Sequence, residues 1–254
     1  AMAEALGIQI MTICSTCQGV MSQANRRMKN DPGYLAKINV ELAEEGLEYK
    51  GTADPKHLLW IIIEDFGLDK LEALITKPLA GVRLAPFYGC YLVRPTEALD
   101  FEDNPTRQNS LERLIETLGA SVVDFSGKTR CCGFPILTIN EKNSMAMVGK
   151  HTAEAKDLGA DAMITPCPLC HLNLDAFQPR ASTQAQRSID LPIIHMPHPT
   201  SPMGLVNHQG SVVWCATNPR QPYTSRAVDS PRRRMPSIKS KNGSWHSDRL
   251  VTSA

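Results

Sequence analysis

One arrangement occurs twice in this chain at a fixed distance. "IQIMTICSTCQGVMSQANRR" (8–27) and "DAMITPCPLCHLNLDAF" (161–177) each run from a short β-branched apolar stretch into Cys-x-x-Cys, then into a pattern suited to a helix. Cys14 and Cys17 map onto Cys167 and Cys170 with a common offset of 153 residues. The apolar stretches read as buried strands, and two copies of one strand–Cys-x-x-Cys–helix unit predict a duplicated domain.

The second unit extends backwards through further elements. "GVRLAPFYGC" (81–90) reads as a strand ending at Cys90, and "SLERLIETLGA" (110–120) as a helix stopped by Gly119. "SVVDF" (121–125) is another short strand, leading to the adjacent pair Cys131 and Cys132. "EKNSMAMVGKHTAEAKDLGA" (141–160) is a long helix stopped by Gly159. Strand and helix alternate, the pattern of an α/β domain with a small, largely parallel sheet flanked by helices. In such sheets the loops at strand C-termini gather at one edge, so Cys90, Cys131, Cys132, Cys167 and Cys170 are placed to converge.

Projected onto the first copy, the same offset puts the partners of Cys90, Cys131 and Cys132 before residue 1. The expectation is a first copy truncated to 1–31, a helical connector over 32–80, a complete second domain over 81–198, and a tail over 199–254. A further Cys-Cys pair about 35 residues upstream of Cys14 is expected in the coding sequence, by analogy with the second copy. Asp31-Pro32 and Asp54-Pro55 read as helix start signals in the connector. "LPIIHMPH" (191–198) reads as a last strand.

Charge separates the tail from the body. From His198 onward there are 8 Lys/Arg and 2 Asp/Glu, against 19 and 24 in the preceding 197 residues. The tail is rich in Pro, Ser and Arg without periodicity and is read as disordered or non-native to the fold, its "RRR" at 232–234 as a solvated run. A net charge of +1 over 254 residues argues against nucleic acid as the main partner. The most apolar run, "LLWIII" (58–63), is far short of the ~20 residues a membrane span needs. "AMAEALGIQI" lacks the basic region and cleavage site of a signal peptide, which points to the cytoplasm.

Eight cysteines in such a chain indicate metal or redox chemistry rather than a disulfide framework. Adjacent cysteines do not readily bridge each other, because a vicinal disulfide strains the peptide between them. They also make a poor zinc hook, since their side chains diverge, and five thiolates exceed one tetrahedral ion. A polynuclear iron–sulfur cluster meets both objections. A lone Cys-x-x-Cys at 14–17 is also compatible with a redox dithiol. Cys215, in the tail, reads as an idle thiol. Pro166 and Pro168 are expected to shape the cysteine loop, and Gly133 to let backbone approach inorganic sulfide.

"YGC" (88–90), "RCCGFP" (130–135) and "TPCPLCHLNLD" (165–175) resemble the cysteine-rich CCG domain of the heterodisulfide reductase B-subunit family. That family includes bacterial relatives and related subunits of thiol-dependent fumarate reductases and unusual succinate dehydrogenases. The resemblance covers roughly residues 1–198, but the first copy retains only Cys14 and Cys17. It implies a noncubane 4Fe–4S cluster bound by Cys90, Cys131, Cys132, Cys167 and Cys170, with Cys131 and Cys132 on different irons. A second site at Cys14 and Cys17 is incomplete. In that family two such domains face each other, and a disulfide substrate is cleaved between their clusters.

The implied activity is that of an oxidoreductase acting on sulfur groups, reducing or forming a disulfide or thiol-linked bond within a complex. The resemblance implies that electrons arrive through a ferredoxin-like 4Fe–4S subunit and a flavoprotein; the chain has no Rossmann glycine fingerprint of its own. His171, directly after Cys170, is a weaker candidate as proton donor to a departing thiolate. Two other readings stay open: a non-catalytic module that docks a partner subunit through zinc or a structural cluster, and the iron–sulfur subunit of a lactate or glycolate oxidase.

Overall fold

Among the described residues all strand pairs are parallel, in two sheets. The computed structural model describes residues 1–197; the tail over 199–254, with Cys215, lies outside the described residues. In chain order the elements begin α1 (Met2–Ala5), β1 (Ile10–Thr12), α2 (Ser15–Asn30), α3 (Pro32–Ala43) and β2 (Pro55–His57). Next come α4 (Leu58–Trp60), running into π-helical Ile61–Phe66, then α5 (Leu68–Leu74) and β3 (Arg83–Pro86). Short helices α6 (Thr96–Leu99) and α7 (Pro105–Gln108) lead into α8 (Ser110–Thr117) and β4 (Ser121–Val122). After a 3-10 turn at Phe134–Ile136 follow α9 (Glu141–Asp157), β5 (Ala162–Thr165), α10 (Pro168–Ala176), α11 (Gln178–Ala185) and β6 (Ile193–His195).

The larger sheet has the order β4-β3-β5-β6, and the smaller pairs β1 with β2. β1 and β5, the two strands that precede Cys-x-x-Cys, each pair with a later strand in matching register: Thr12 opposite His57, and Thr165 opposite His195. The duplicated α/β architecture expected from the repeat is the one observed. Its second sheet has two more strands than its first among the described residues.

The position of β5 follows from its composition. "AMIT" has no polar side to turn to water, and all four residues are buried, as in a strand with helices on both faces. Side chains alternate across it: Ala162 and Ile164 enter one core with Leu84, Leu111, Leu114 and Ile115, while Met163 enters another with Ala85, Val148, Leu174 and Ile193. Leu59 and Trp60, from the first half, belong to the core that holds Leu84 and Ile164, so the halves share apolar interior. The second core contains Cys14, Cys132, Cys167 and Cys170.

Local signals placed most elements. Asp31 caps α3 by accepting from the Tyr34 N–H at 2.9 Å, with Pro32 in the first turn. Asp54-Pro55 behaves differently from the helix start read there. The Asp54 carboxylate is taken by Asn25 and Lys29, each at 2.7 Å. Pro55 instead begins β2, a position where its missing N–H costs no ladder bond. The helix starts after His57, whose Nδ1 accepts from the Leu59 N–H at 3.1 Å. Among the described residues no helix is long and apolar enough to cross a membrane.

Candidate metal centre

Three loops at the C-terminal ends of β3, β4 and β5 bring the five second-half cysteines together. Cys167 is the N-cap of α10 and Cys170 lies in its first turn, so one strand–helix junction supplies two thiols. Cys90, Cys132, Cys167 and Cys170 line a cavity of ≈ 170 Å³, with Tyr91 and Phe134 on its wall. Cys131 stands beside Cys90 and Cys132. Gly89 makes this convergence feasible. Its φ is +74°, and a Cβ there would come within 2.9 Å of the Cys170 sulfur.

The Cys-Cys pair is held from both sides. The Gly133 N–H donates to Cys131 Sγ at 3.4 Å, and the Phe134 N–H to Cys132 Sγ at 3.5 Å. On the other side, His151 Nε2 donates to the Cys131 carbonyl at 3.1 Å and Asn173 Nδ2 to the Cys132 carbonyl at 2.8 Å. Each carbonyl of the pair therefore has its own partner, and each thiol its own N–H donor. Gly133, at φ +94°, gives clearance against α9: a Cβ would sit 3.0 Å from Ser144 O.

The thiols divide by charge preference. Cys131 is held well below the ordinary thiol range by the neighbouring Cys132 and Cys90 thiols, helped by the Gly133 N–H. Cys167 is likewise held low by the Cys14 and Cys170 thiols and by the N–H groups of Cys170 and Thr16. Their partners move the other way: Cys132 is pushed up to about 12, chiefly by Cys131, and Cys170 rises through Cys132 and Cys167. Donor N–H groups at a helix N-terminus favour thiolate, the form that binds metal.

The first half closes the site. Cys14 Sγ lies 4.0 Å from Cys167 Sγ, its own counterpart in the repeat. The two cysteines have nearly the same backbone conformation, φ −137°, ψ 120° and φ −129°, ψ 119°, each as a helix N-cap. Thr16 Oγ1 is 3.7 Å from Cys167 Sγ, and Ser15 and Thr16 line the cavity. Cys17 is exposed. The His171 ring stacks on His195 at 6.4 Å between centroids and is not among the cavity-lining residues.

A group larger than one ion suits these residues. Among the described residues no three His, Cys, Asp or Glu side chains stand where a single metal ion would draw them together. Cys90, Cys132, Cys167 and Cys170 line one cavity, and Cys131 and Cys132 each accept from an N–H, a soft donor set of the kind an iron–sulfur cluster takes. Sequence reading did not single out His151, Asn173, His57 or His195. Asn173 lies inside the stretch 165–175, but nothing in its spacing marks the carbonyl it holds. His57 and His195 are separated by 138 residues, so the 153-residue offset passes over them.

Residues 84–175 match the cysteine-rich domain family, CCG. The chain is 34% identical over 196 residues to the 8-methylmenaquinol:fumarate reductase membrane anchor subunit of Wolinella succinogenes, an alignment covering 77% of this chain and 67% of that one. It is 32% identical to the heterodisulfide reductase B-subunit-like protein of Archaeoglobus profundus, covering 77% and 67%. Identity is also 32% to the B subunit of the ferredoxin/F(420)H(2)-dependent CoB-CoM heterodisulfide reductase of Methanosarcina acetivorans, covering 76% and 65%. The chain thus spans about two thirds of the length of these curated relatives. A hypothetical protein from Helicobacter pylori shares the fold, with TM-score 0.60 at 16% identity over 82% of this chain and 37% of that one.

Proposed function

Because the chain belongs to the heterodisulfide reductase B-subunit family of cysteine-rich proteins, we propose that it is the iron–sulfur subunit of a heterodisulfide-reductase-like complex. In this reading it reduces or forms a disulfide, or another thiol-linked bond, at a noncubane 4Fe–4S cluster held by Cys90, Cys131, Cys132, Cys167 and Cys170. The observation that carries it is the gathering of five thiols from three strand ends, four of them lining one cavity and Cys131 beside two of those. When bound, such a cluster supplies electrons one at a time to a substrate sulfur, so that two single-electron steps amount to one two-electron S–S cleavage.

The chain's own residues do the rest. The Gly133 N–H holds the Cys131 sulfur and the Phe134 N–H the Cys132 sulfur, and each of the two would bind its own iron of the cluster. His151 and Asn173 anchor the carbonyls behind them. Tyr91, Phe134 and Leu169 give the cavity an apolar wall that limits water around a reacting sulfur, and Ser15 and Thr16 place hydroxyls there from the opposite half. A ferredoxin-like 4Fe–4S subunit and a flavoprotein are the electron-delivering partners we assign. We place the complex in the cytoplasm.

Iron, sulfide and zinc analysis of the anaerobically reconstituted chain tests the reading. About four irons per chain, with matching sulfide and rapid loss in air, are expected for such a cluster. One zinc per chain with negligible iron would overturn it.

A further inference from the structure

Two histidines outside the thiol set make mirror-image contacts across the halves. His57 ends β2 and lies opposite Thr12, two residues before Cys14. His195 ends β6 and lies opposite Thr165, two residues before Cys167. Each ring's Nε2 crosses to the other half, although the His195 ring also stacks on His171, which follows Cys170 in its own half. His57 Nε2 reaches the carbonyl of Pro166, the residue before Cys167, at 3.0 Å. His195 Nε2 reaches the carbonyl of Ile13, the residue before Cys14, also at 3.0 Å. Pro166 and Ile13 are themselves counterparts under the 153-residue offset that relates Cys167 to Cys14.

The chemistry of the contacts is defined. A carbonyl oxygen only accepts, so Nε2 donates in both cases. At His57 the other nitrogen accepts from the Leu59 N–H at 3.1 Å, which assigns the neutral Nε2–H tautomer. The ring is fully buried against water, so its bond to Pro166 is not shared with solvent. Between the two contacts, Cys14 Sγ and Cys167 Sγ face each other at 4.0 Å.

We propose that His57 and His195 are reciprocal positioning residues, each holding the carbonyl before the other half's Cys-x-x-Cys and together setting the distance between Cys14 and Cys167. They act through the backbone and touch no reacting atom. The inference deepens the function proposed above, because the gap they set adjoins the cavity where a substrate sulfur would bind, and only its spectroscopic arm rests on that reading.

Its signature is a crossed response. In the full chain, His57→Phe and His195→Phe keep a ring and remove the donor, whereas the corresponding Gln substitutions keep one. Iodoacetamide alkylation of Cys14 and Cys167 is read by peptide mass spectrometry on the metal-free chain, and the electron paramagnetic resonance spectrum of the cluster on the same chain after anaerobic reconstitution. His57→Phe should speed alkylation of Cys167 about tenfold and alter the spectrum, with Cys14 unchanged. His195→Phe should speed alkylation of Cys14 about tenfold and leave the spectrum as it was. Each Gln variant should return to within about twofold of the parent.

An uncrossed pattern, in which each histidine affects the cysteine of its own half, would overturn the proposal, as would equal changes at both cysteines. Should His57→Phe not fold, His195→Phe decides alone: faster alkylation at Cys167 instead of Cys14 overturns it. Should the parent chain hold no iron, the functional reading fails, and the alkylation pattern still decides the histidines.

Discussion

In the second half, β5 lies between β3 and β6, is buried along its whole length, and delivers Cys167 and Cys170 into a cavity with three further thiols nearby. In the first half, β1 pairs with β2 alone among the described residues, Met11 and Ile13 are 56% and 46% exposed, and Cys17 faces solvent. The same strand–Cys-x-x-Cys–helix unit thus ends in two environments. The motif places a thiol at a helix N-cap in both halves; neighbouring strand ends decide whether other sulfurs gather around it. The first copy serves the second site as a wall, through Cys14, Ser15 and Thr16.

The largest expected effect breaks the comparison at the paired positions. Cys170→Ser should reduce iron in the reconstituted chain from about four atoms to near zero, whereas Cys17→Ser should leave it unchanged. Equal losses in metal analysis would show that the halves share ligands in a way the 153-residue pairing does not predict. The next effect concerns burial. Leu84→Ala, at a fully buried position in β3, should lower urea-unfolding stability by about 2–5 kcal/mol. Met11→Ala, at the exposed position of β1, should change it by less than about 0.5 kcal/mol. Similar costs would mean that β1 is covered in solution.

A smaller effect probes the contact between the halves. A Cβ on Gly19 of α2 would fall 2.5 Å from the Tyr91 carbonyl oxygen, next to Cys90. Gly19→Ala should cost about 1–3 kcal/mol in denaturant unfolding through overpacking, despite alanine's better helix propensity. A stabilised variant would show that the halves are not packed this closely. The smallest effect stays inside the first half. Tyr49 donates to Asn25 Oδ1 at 2.5 Å and lies 3.1 Å from the Ala53 carbonyl. Tyr49→Phe should cost about 1 kcal/mol in thermal or urea unfolding and leave iron content untouched. Loss of iron would tie this polar cluster to the metal centre.

Much of this arrangement is legible without any coordinates. The repeated Cys-x-x-Cys, the helix stops at Gly119 and Gly159, and the Asp31-Pro32 cap all depend on residues close in sequence, where spacing and capping chemistry suffice. Asp54-Pro55 misleads because its start signal competes with a tertiary one: Asn25 and Lys29 take the carboxylate. Gly133 is marked by its sequence context as needing space, but the neighbour is Ser144 on α9, a contact no local pattern contains. His151 and Asn173 escape notice for a related reason, since a polar residue on a helix carries no mark of which buried carbonyl it will meet.

By itself the sequence determined the α/β alternation, the duplication, and the placing of five cysteines after strand ends. Strand periodicity, helix stops and parallel-sheet topology act through near neighbours or through a rule common to all such sheets. Tertiary structure alone decided that Cys14 meets Cys167, that each half's histidine reaches the other half's loop, and that one thiol of the first copy is buried while its neighbour is exposed. These contacts join residues up to 182 apart in sequence. They arise because the halves bury apolar surface against each other, and only that shared core fixes which carbonyl comes within 3.0 Å of which ring.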